Sequence, residues 1–226
     1  MVSFWLLTLY NCFENATDFN NYEIIVEEHD LAVDESFSKA HEILDVLKSD
    51  KNSKQALALA LLKSPIDFTS LYVGDTCLYR GDPTHLQFQL PQFVVGWGKN
   101  GRSPFISQTL PRYFPGYLMT DEQCSKAWPE DYESGHDICF SSSSNDKNVP
   151  CDGDEGSPYL VQSQYDYSTV NSDQLIQLAV YYERDANCSA LKPGLFVNIL
   201  PNIEWITEIL ACTVPGLDYP KSYPQK

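Results

Sequence analysis

The densest grouping of chemically capable side chains is Cys151-Asp152-Gly153-Asp154-Glu155-Gly156-Ser157-Pro158, an acidic run that ends on a hydroxyl. Carboxylates at alternate positions are how a calcium loop begins, because a hard cation gathers oxygens from one tight turn. Such a loop needs a further oxygen ligand at its fifth position and a glutamate at its twelfth. Counted from Asp152, those places hold Gly156 and Ser163, so no metal ion is expected, and no cofactor either. The chain has seven cysteines, too many for a casual cytosolic protein and an odd number that cannot all pair internally. Asn15-Ala16-Thr17 and Asn187-Cys188-Ser189 are N-glycosylation acceptors if the chain is secreted.

The elements that must position these groups belong to a chain of 226 residues, enough for a sizeable core. At 43% hydrophobic and 13% aromatic the composition excludes global disorder. The net charge of -16 repels phosphate backbones and anionic lipid, so neither a nucleic acid nor a membrane surface is an expected partner. The longest apolar run, Ala56 to Leu62, falls far short of the ~20 residues that cross a bilayer. Residues 1–12 lack the basic start and the cleavage site of a signal peptide and read as a buried strand. Tyr22 to Glu28 is strand-like. Ser36 to Lys48 carries Ala40, Ile43, Leu44 and Leu47 at helical spacing and predicts a short amphipathic helix. Periodicity cannot assign Ala56 to Leu62.

Leu86 to Val95, Leu175 to Tyr182 and Gly194 to Leu200 predict strands, with Gly96-Trp97-Gly98 breaking the first. Thr120 to Trp128 predicts a helix, Thr120 capping it and Asp121 and Glu122 in its first turn. Pro201 opens a terminal helix with Ile203, Ile206, Ile209 and Leu210 as its apolar stripe. The chain is therefore expected to be mostly β with a helix at the end.

Five stretches then form a pattern in chain order. They are Phe4-Trp5-Leu6-Leu7-Thr8-Leu9-Tyr10-Asn11-Cys12, Ala58-Leu59-Ala60-Leu61-Leu62-Lys63, Val94-Val95-Gly96-Trp97-Gly98, the Cys151–Pro158 run, and Lys192-Pro193-Gly194-Leu195-Phe196-Val197 continuing to Trp205-Ile206. Together they resemble the chymotrypsin/trypsin family of serine proteases, which reads W-V-L-T-A-A-H-C, D-I-A-L-L-K-L, V-x-G-W-G, C-x-G-D-S-G-G-P and K-P-G-V-Y-T ending in W-I. The resemblance implies two six-stranded antiparallel β-barrels and a C-terminal helix. The chain begins in the middle of the family pattern, so the first barrel is expected to lack its N-terminal strands. It further implies one peptidase-like domain, with residues 1–85 as the incomplete first barrel, 86–212 as the second barrel plus helix, and 213–226 as a tail.

By the same resemblance, the family's catalytic histidine falls on Asn11, its aspartate on Ala58 and its serine on Glu155. Asn11 cannot take a proton near neutral pH, Ala58 has no functional group and Glu155 has no hydroxyl, so the base-activated attack of such a triad is lost. His29, His41, His85 and His136 lie outside the motif positions and read as ordinary surface or loop residues. Gly153 matches a donor of the oxyanion hole, and the Glu155 side chain either folds into that hole or points to solvent. The base of the specificity pocket falls on Val149. Its wall reads Tyr181-Tyr182-Glu183 where the family has S-W-G, with Gly194 opposite, which implies a narrowed or plugged pocket. Asp154 keeps the place of an aspartate that pairs with a new N-terminus in active relatives; buried without a cation, its pKa would rise.

The resemblance pairs Cys124 with Cys139 and Cys151 with Cys188, in oxidising surroundings. Cys12 would pair with a cysteine upstream of Met1, Cys77 matches a position that bridges to a propeptide or light chain, and Cys212 takes Cys77 or stays free. The expected function is that of a secreted, non-catalytic homologue that binds a protein, an active protease or its substrate, as cofactor, decoy or competitor. Two rivals remain at this point: an altered hydrolase using Glu155 as base, and a fragment of a longer homologue.

Overall fold

The structure, a computed structural model, describes residues 2–14, 16, 18–49, 55–70, 72–81, 91–99, 108–142, 149–163, 174–183, 188 and 192–212. Its first sheet has the order β1-β4-β3-β2, from β1 (Val2–Leu9), β2 (Glu23–Val26), β3 (Lys39–Lys48) and β4 (Leu57–Asp67). All neighbours are antiparallel. β1 gives way at Tyr10–Phe13 to a single tight 3-10 turn.

β4 explains the apolar run that has no period. Successive strand side chains point to opposite faces. Leu57 and Leu59 pack with Leu9, Trp128, Val197 and Ile206 toward the second sheet and the helices. Ala58, Ala60 and Leu62 pack with Phe13, Ile43 and Val46 on the other face. A strand covered on both sides reads as continuously hydrophobic.

β3 corrects an expectation, since Lys39–Lys48 is strand and not the amphipathic helix predicted from Ala40, Ile43, Leu44 and Leu47. The cause is a bulge. Ile43 faces Leu62 while Asp45 faces Leu61, so β3 advances two residues where β4 advances one. The extra residue shifts the buried positions from strict alternation to His41, Ile43 and Val46, leaves Leu44 exposed, and imitates a helical spacing.

The second sheet runs β11-β8-β7-β6-β9-β10-β5. Its members are β5 (Cys77–Leu78), β6 (Gln92–Gly96), β7 (Arg112–Leu118), β8 (Asp137–Ser142), β9 (Pro158–Ser163), β10 (Gln174–Glu183) and β11 (Gly194–Asn198). β10 also pairs with β11, Val180 against Val197 and Tyr181 against Phe196, which closes six strands into a barrel. β5 precedes residue 85 yet joins this sheet, parallel to β10 at Ile176 and Gln177. Aromatic rings fill the barrel: Tyr159 lies 5.1 Å from Phe140 and 5.4 Å from Phe196, and Tyr181 lies 5.2 Å from Phe196. The expected pair of β-units is thus one closed six-stranded barrel and one open sheet, with a short helix at the C-terminal end.

Helix α1 (Asp121–Ala127) starts as its sequence predicts, the Thr120 hydroxyl accepting from Gln123 N and the Gln123 side chain accepting from Thr120 N. A disulfide from Cys124 to Cys139, with Cα atoms 5.8 Å apart, fastens it to β8. A 3-10 turn over Leu200–Asn202 leads into α2 (Ile203–Cys212). Ile206 and Ile209 are buried, whereas Leu210 is 42% exposed, so the stripe is narrower than predicted. No helix of the described residues is long and apolar enough to cross a membrane.

Candidate functional site

The loop between β8 and β9 is built around one buried carboxylate. Asp154 is 1% exposed and accepts from Gly98 N at 2.8 Å and Cys151 N at 2.9 Å. Gly96 and Gly98 make room for it: a Cβ on Gly98 would lie 2.6 Å from the Asp154 Cγ and 2.7 Å from its backbone N, and one on Gly96 would overlap Oδ1. The glycines that read as strand breakers in the sequence are therefore the walls of a slot. Burial raises the Asp154 pKa to about 6; the two backbone N–H groups and Arg112 act against it, and the Glu155 charge acts with it. A disulfide from Cys151 to Cys188, with Cα atoms 5.5 Å apart, holds the start of the loop.

The residues that follow turn sharply, with Gly153 at φ +90° and Gly156 at φ +91°. Between them Glu155 folds back, and Gly153 N donates to its Oε2 at 2.7 Å. The loop meets the end of β1 here. Cys12 Sγ lies 3.9 Å from the Glu155 carbonyl oxygen and 4.0 Å from Thr8 Oγ1. A side chain on Gly156 would collide with Thr8 Oγ1 at 2.5 Å, so these segments touch without an intervening side chain. Cys12 is exposed as a residue, yet its thiol is turned against Thr8 and Glu155, and desolvation followed by the Glu155 charge pushes its pKa up. Asn11, on the turn after β1, is exposed and reaches Gln55 Oε1 from Nδ2 at 3.5 Å. Ala58 is fully buried in β4 among Phe13, Ile43 and Leu62.

Val149 is fully buried with Cys151 and Cys188. Tyr181 and Gly194 are buried side by side, a Gly194 Cβ being placed 3.3 Å from the Tyr181 ring. Tyr182 packs into the cluster shared with β1, β4 and the helices. Glu183 is half-buried; desolvation and Asp131 raise its pKa, and Lys192 opposes them. Cys77 is exposed. Asn15, Asn187 and His85 lie outside the described residues, as does the side chain of Cys212.

A family profile described as Trypsin matches residues 1–206. The chain belongs to the trypsin family. It is 21% identical to chymotrypsin-like elastase family member 1 of Rattus norvegicus over 92% of this chain and 76% of the elastase. It is 23% identical to snake venom serine protease 1 of Craspedocephalus gramineus over 92% of this chain and 74% of that protein. Serpentokallikrein-2 of Protobothrops mucrosquamatus is 25% identical, but over 52% of this chain and 41% of its own length.

This trypsin-family chain also contains polar burial that its motifs do not announce. Asp137 is 3% exposed, accepts from Glu133 N at 2.9 Å and pairs with His136 Nδ1 at 2.8 Å, and its charge acts on the Tyr182 phenol. Burial and the Asp137 charge hold that phenol far above its ordinary range. His41 corrects the reading of the histidines as surface or loop residues. It is 7% exposed on β3, faces Ile24 across the sheet, and its Nδ1 lies 3.0 Å from Ser64 Oγ. The partners of both groups come from distant segments or turns, and only the acidic and histidine types themselves were signals.

Proposed function

We propose that this chain is a non-catalytic trypsin-family protein that acts outside the cell by binding another protein, an active protease or the substrate of one. The hydrogen bond from Gly153 N to the Glu155 carboxylate carries the reading. By resemblance, that N–H would steady the transient oxyanion of acyl transfer. A donor already engaged by a permanent anion is not open to a developing one, and losing one such donor costs about 10^2 to 10^3 in turnover.

The residues aligned with the triad support the same reading. Asn11 and Ala58 supply neither a base nor a group to orient one, and Glu155 supplies no hydroxyl. Losing a comparable triad costs about 10^6 in turnover, about 8 kcal/mol of barrier. An extracellular setting is supported by the two disulfides, which persist in oxidising compartments. Relatives named as venom proteases point the same way.

The folded protein, incubated with a broad peptide library and with a serine-directed phosphonate probe, is expected to match a heat-denatured control. Turnover or labelling well above that control overturns the proposal.

A further inference from the structure

Several of the large apolar side chains most open to solvent gather in one region. Leu31 and Val33 are each 56% exposed, Phe37 50% and Tyr72 82%, and Phe37 and Tyr72 stack with ring centroids 6.3 Å apart. The first three lie on the loop between β2 and β3, which is tied down along its length. His29 N donates to Glu35 Oε2 at 2.7 Å, Val33 N to the Asp30 carbonyl at 2.9 Å, and Ser38 Oγ to the Glu35 carbonyl at 2.8 Å. Two further bonds anchor the loop to the neighbouring unit: Leu31 N to the Thr109 carbonyl at 2.9 Å and Trp97 Nε1 to the His29 carbonyl at 3.2 Å. A loop fixed through its backbone while its apolar side chains face water presents those side chains already in place, which lowers the ordering cost of binding.

The same loop is acidic. From Glu27 to Ser38 there are five carboxylates and no lysine or arginine, with the Glu27 side chain and one oxygen of Glu28 buried. Glu27 is engaged by Lys39 at 3.7 Å and by Ser70, but among the described residues no ion pair involves Asp30, Asp34 or Glu35. We propose that this loop, with the Phe37–Tyr72 pair, is a docking surface for a cationic protein segment that carries apolar side chains among its lysines and arginines. Charge complementarity selects that occupant. An anionic lipid or nucleic acid is repelled, and a second copy docking by the same face would set carboxylates against carboxylates. The inference deepens the binding role proposed above by giving it a surface and a partner chemistry.

The test measures fluorescence anisotropy of a labelled peptide of alternating leucine and lysine titrated with the full chain. An all-lysine peptide of equal charge and a leucine–glutamate peptide are titrated beside it. The leucine–lysine peptide is expected to bind best and to weaken as salt rises. Leu31→Ser with Val33→Ser is expected to weaken it about tenfold. Asp30→Asn with Asp34→Asn should cost about fivefold and flatten the salt dependence. Tyr117→Ser, on β7, should leave binding unchanged, and circular dichroism checks the fold of each variant. Binding no tighter than that of the all-lysine peptide, or loop variants that bind like the parent, overturns the proposal. So does sedimentation showing self-association that the Leu31/Val33 variant abolishes, because the occupant is then a second copy. Hydrolysis assays fail or succeed independently: turnover with intact peptide binding overturns the non-catalytic reading and leaves this surface standing.

Discussion

The contribution of Asp154 to stability is expected to fall, rather than rise, as pH climbs from about 4 to 6. Its carboxyl is raised from 3.8 to about 6 by burial. The folded state therefore binds more protons than the unfolded state between those values. Its stabilising contribution is present below the unfolded pKa and is lost as pH rises through the folded one. Two units at about 1.4 kcal/mol each amount to about 3 kcal/mol. The perturbation is Asp154→Asn, which cannot titrate. The amide keeps one oxygen for Gly98 N or Cys151 N and sets its NH2 against the other donor. That penalty shifts the variant's stability by an amount independent of pH, so the test lies in the slope. Urea unfolding of both proteins at several pH values from about 4 to 7.5 yields a difference curve. The parent is expected to lose about 3 kcal/mol relative to the variant across that range. Parallel curves would refute the reasoning. A parent that gains relative stability with pH would mean that the Gly98 and Cys151 N–H groups and Arg112 outweigh the burial of the carboxyl.

Gly98→Ala places a methyl 2.6 Å from the Asp154 Cγ and 2.7 Å from backbone N, so it should destabilise by about 3 kcal/mol or more in urea unfolding, as overpacking against backbone does. The Cys12 thiol, raised by desolvation and by Glu155, should react with a disulfide reagent at pH 8 several-fold more slowly than a free cysteine; Glu155→Gln should speed it, and equal rates in both proteins would remove the electrostatic part. Replacing Cys124 and Cys139 together by serine reopens a separation of 15 residues and should cost about 3 kcal/mol, read as a lower urea midpoint.

What was legible in the sequence follows where the information is local. Thr120 with Gln123 three residues on is a complete start signal, and α1 begins there. β10 and β11 announce themselves by apolar runs between loops. β3 departs from the helix that its spacing predicts because a bulge is a property of the pairing with β4, and one inserted residue converts a two-residue period into something close to a helical one. The burial of His41 is hidden from the sequence for the same kind of reason: its partner Ser64 is 23 residues away. The need for Asp154 to be buried could be read from the motif, but not that Gly96 and Gly98 shape its slot. For Glu155, the resemblance leaves two side-chain directions open, and its hydrogen bond from Gly153 N is a contact that the order of residues does not show.

The residues that shape the Cys151–Pro158 loop are different from Asn11, Ala58 and Glu155, which only resemblance aligns with a catalytic triad. Gly96, Gly98, Asp154, the positive φ at Gly153 and Gly156, and the Cys151–Cys188 bond together define the loop. Asn11 and Glu155 are exposed, so the backbone around them places little demand on their side chains. Ala58 differs. It is fully buried and packed between Phe13, Ile43 and Leu62, so a carboxylate there would be an unpaired charge in an apolar core. The cost of such a group is several kcal/mol, against a total stability of about 5 to 15 kcal/mol for a typical domain. An aspartate introduced at residue 58 is therefore destabilising in itself.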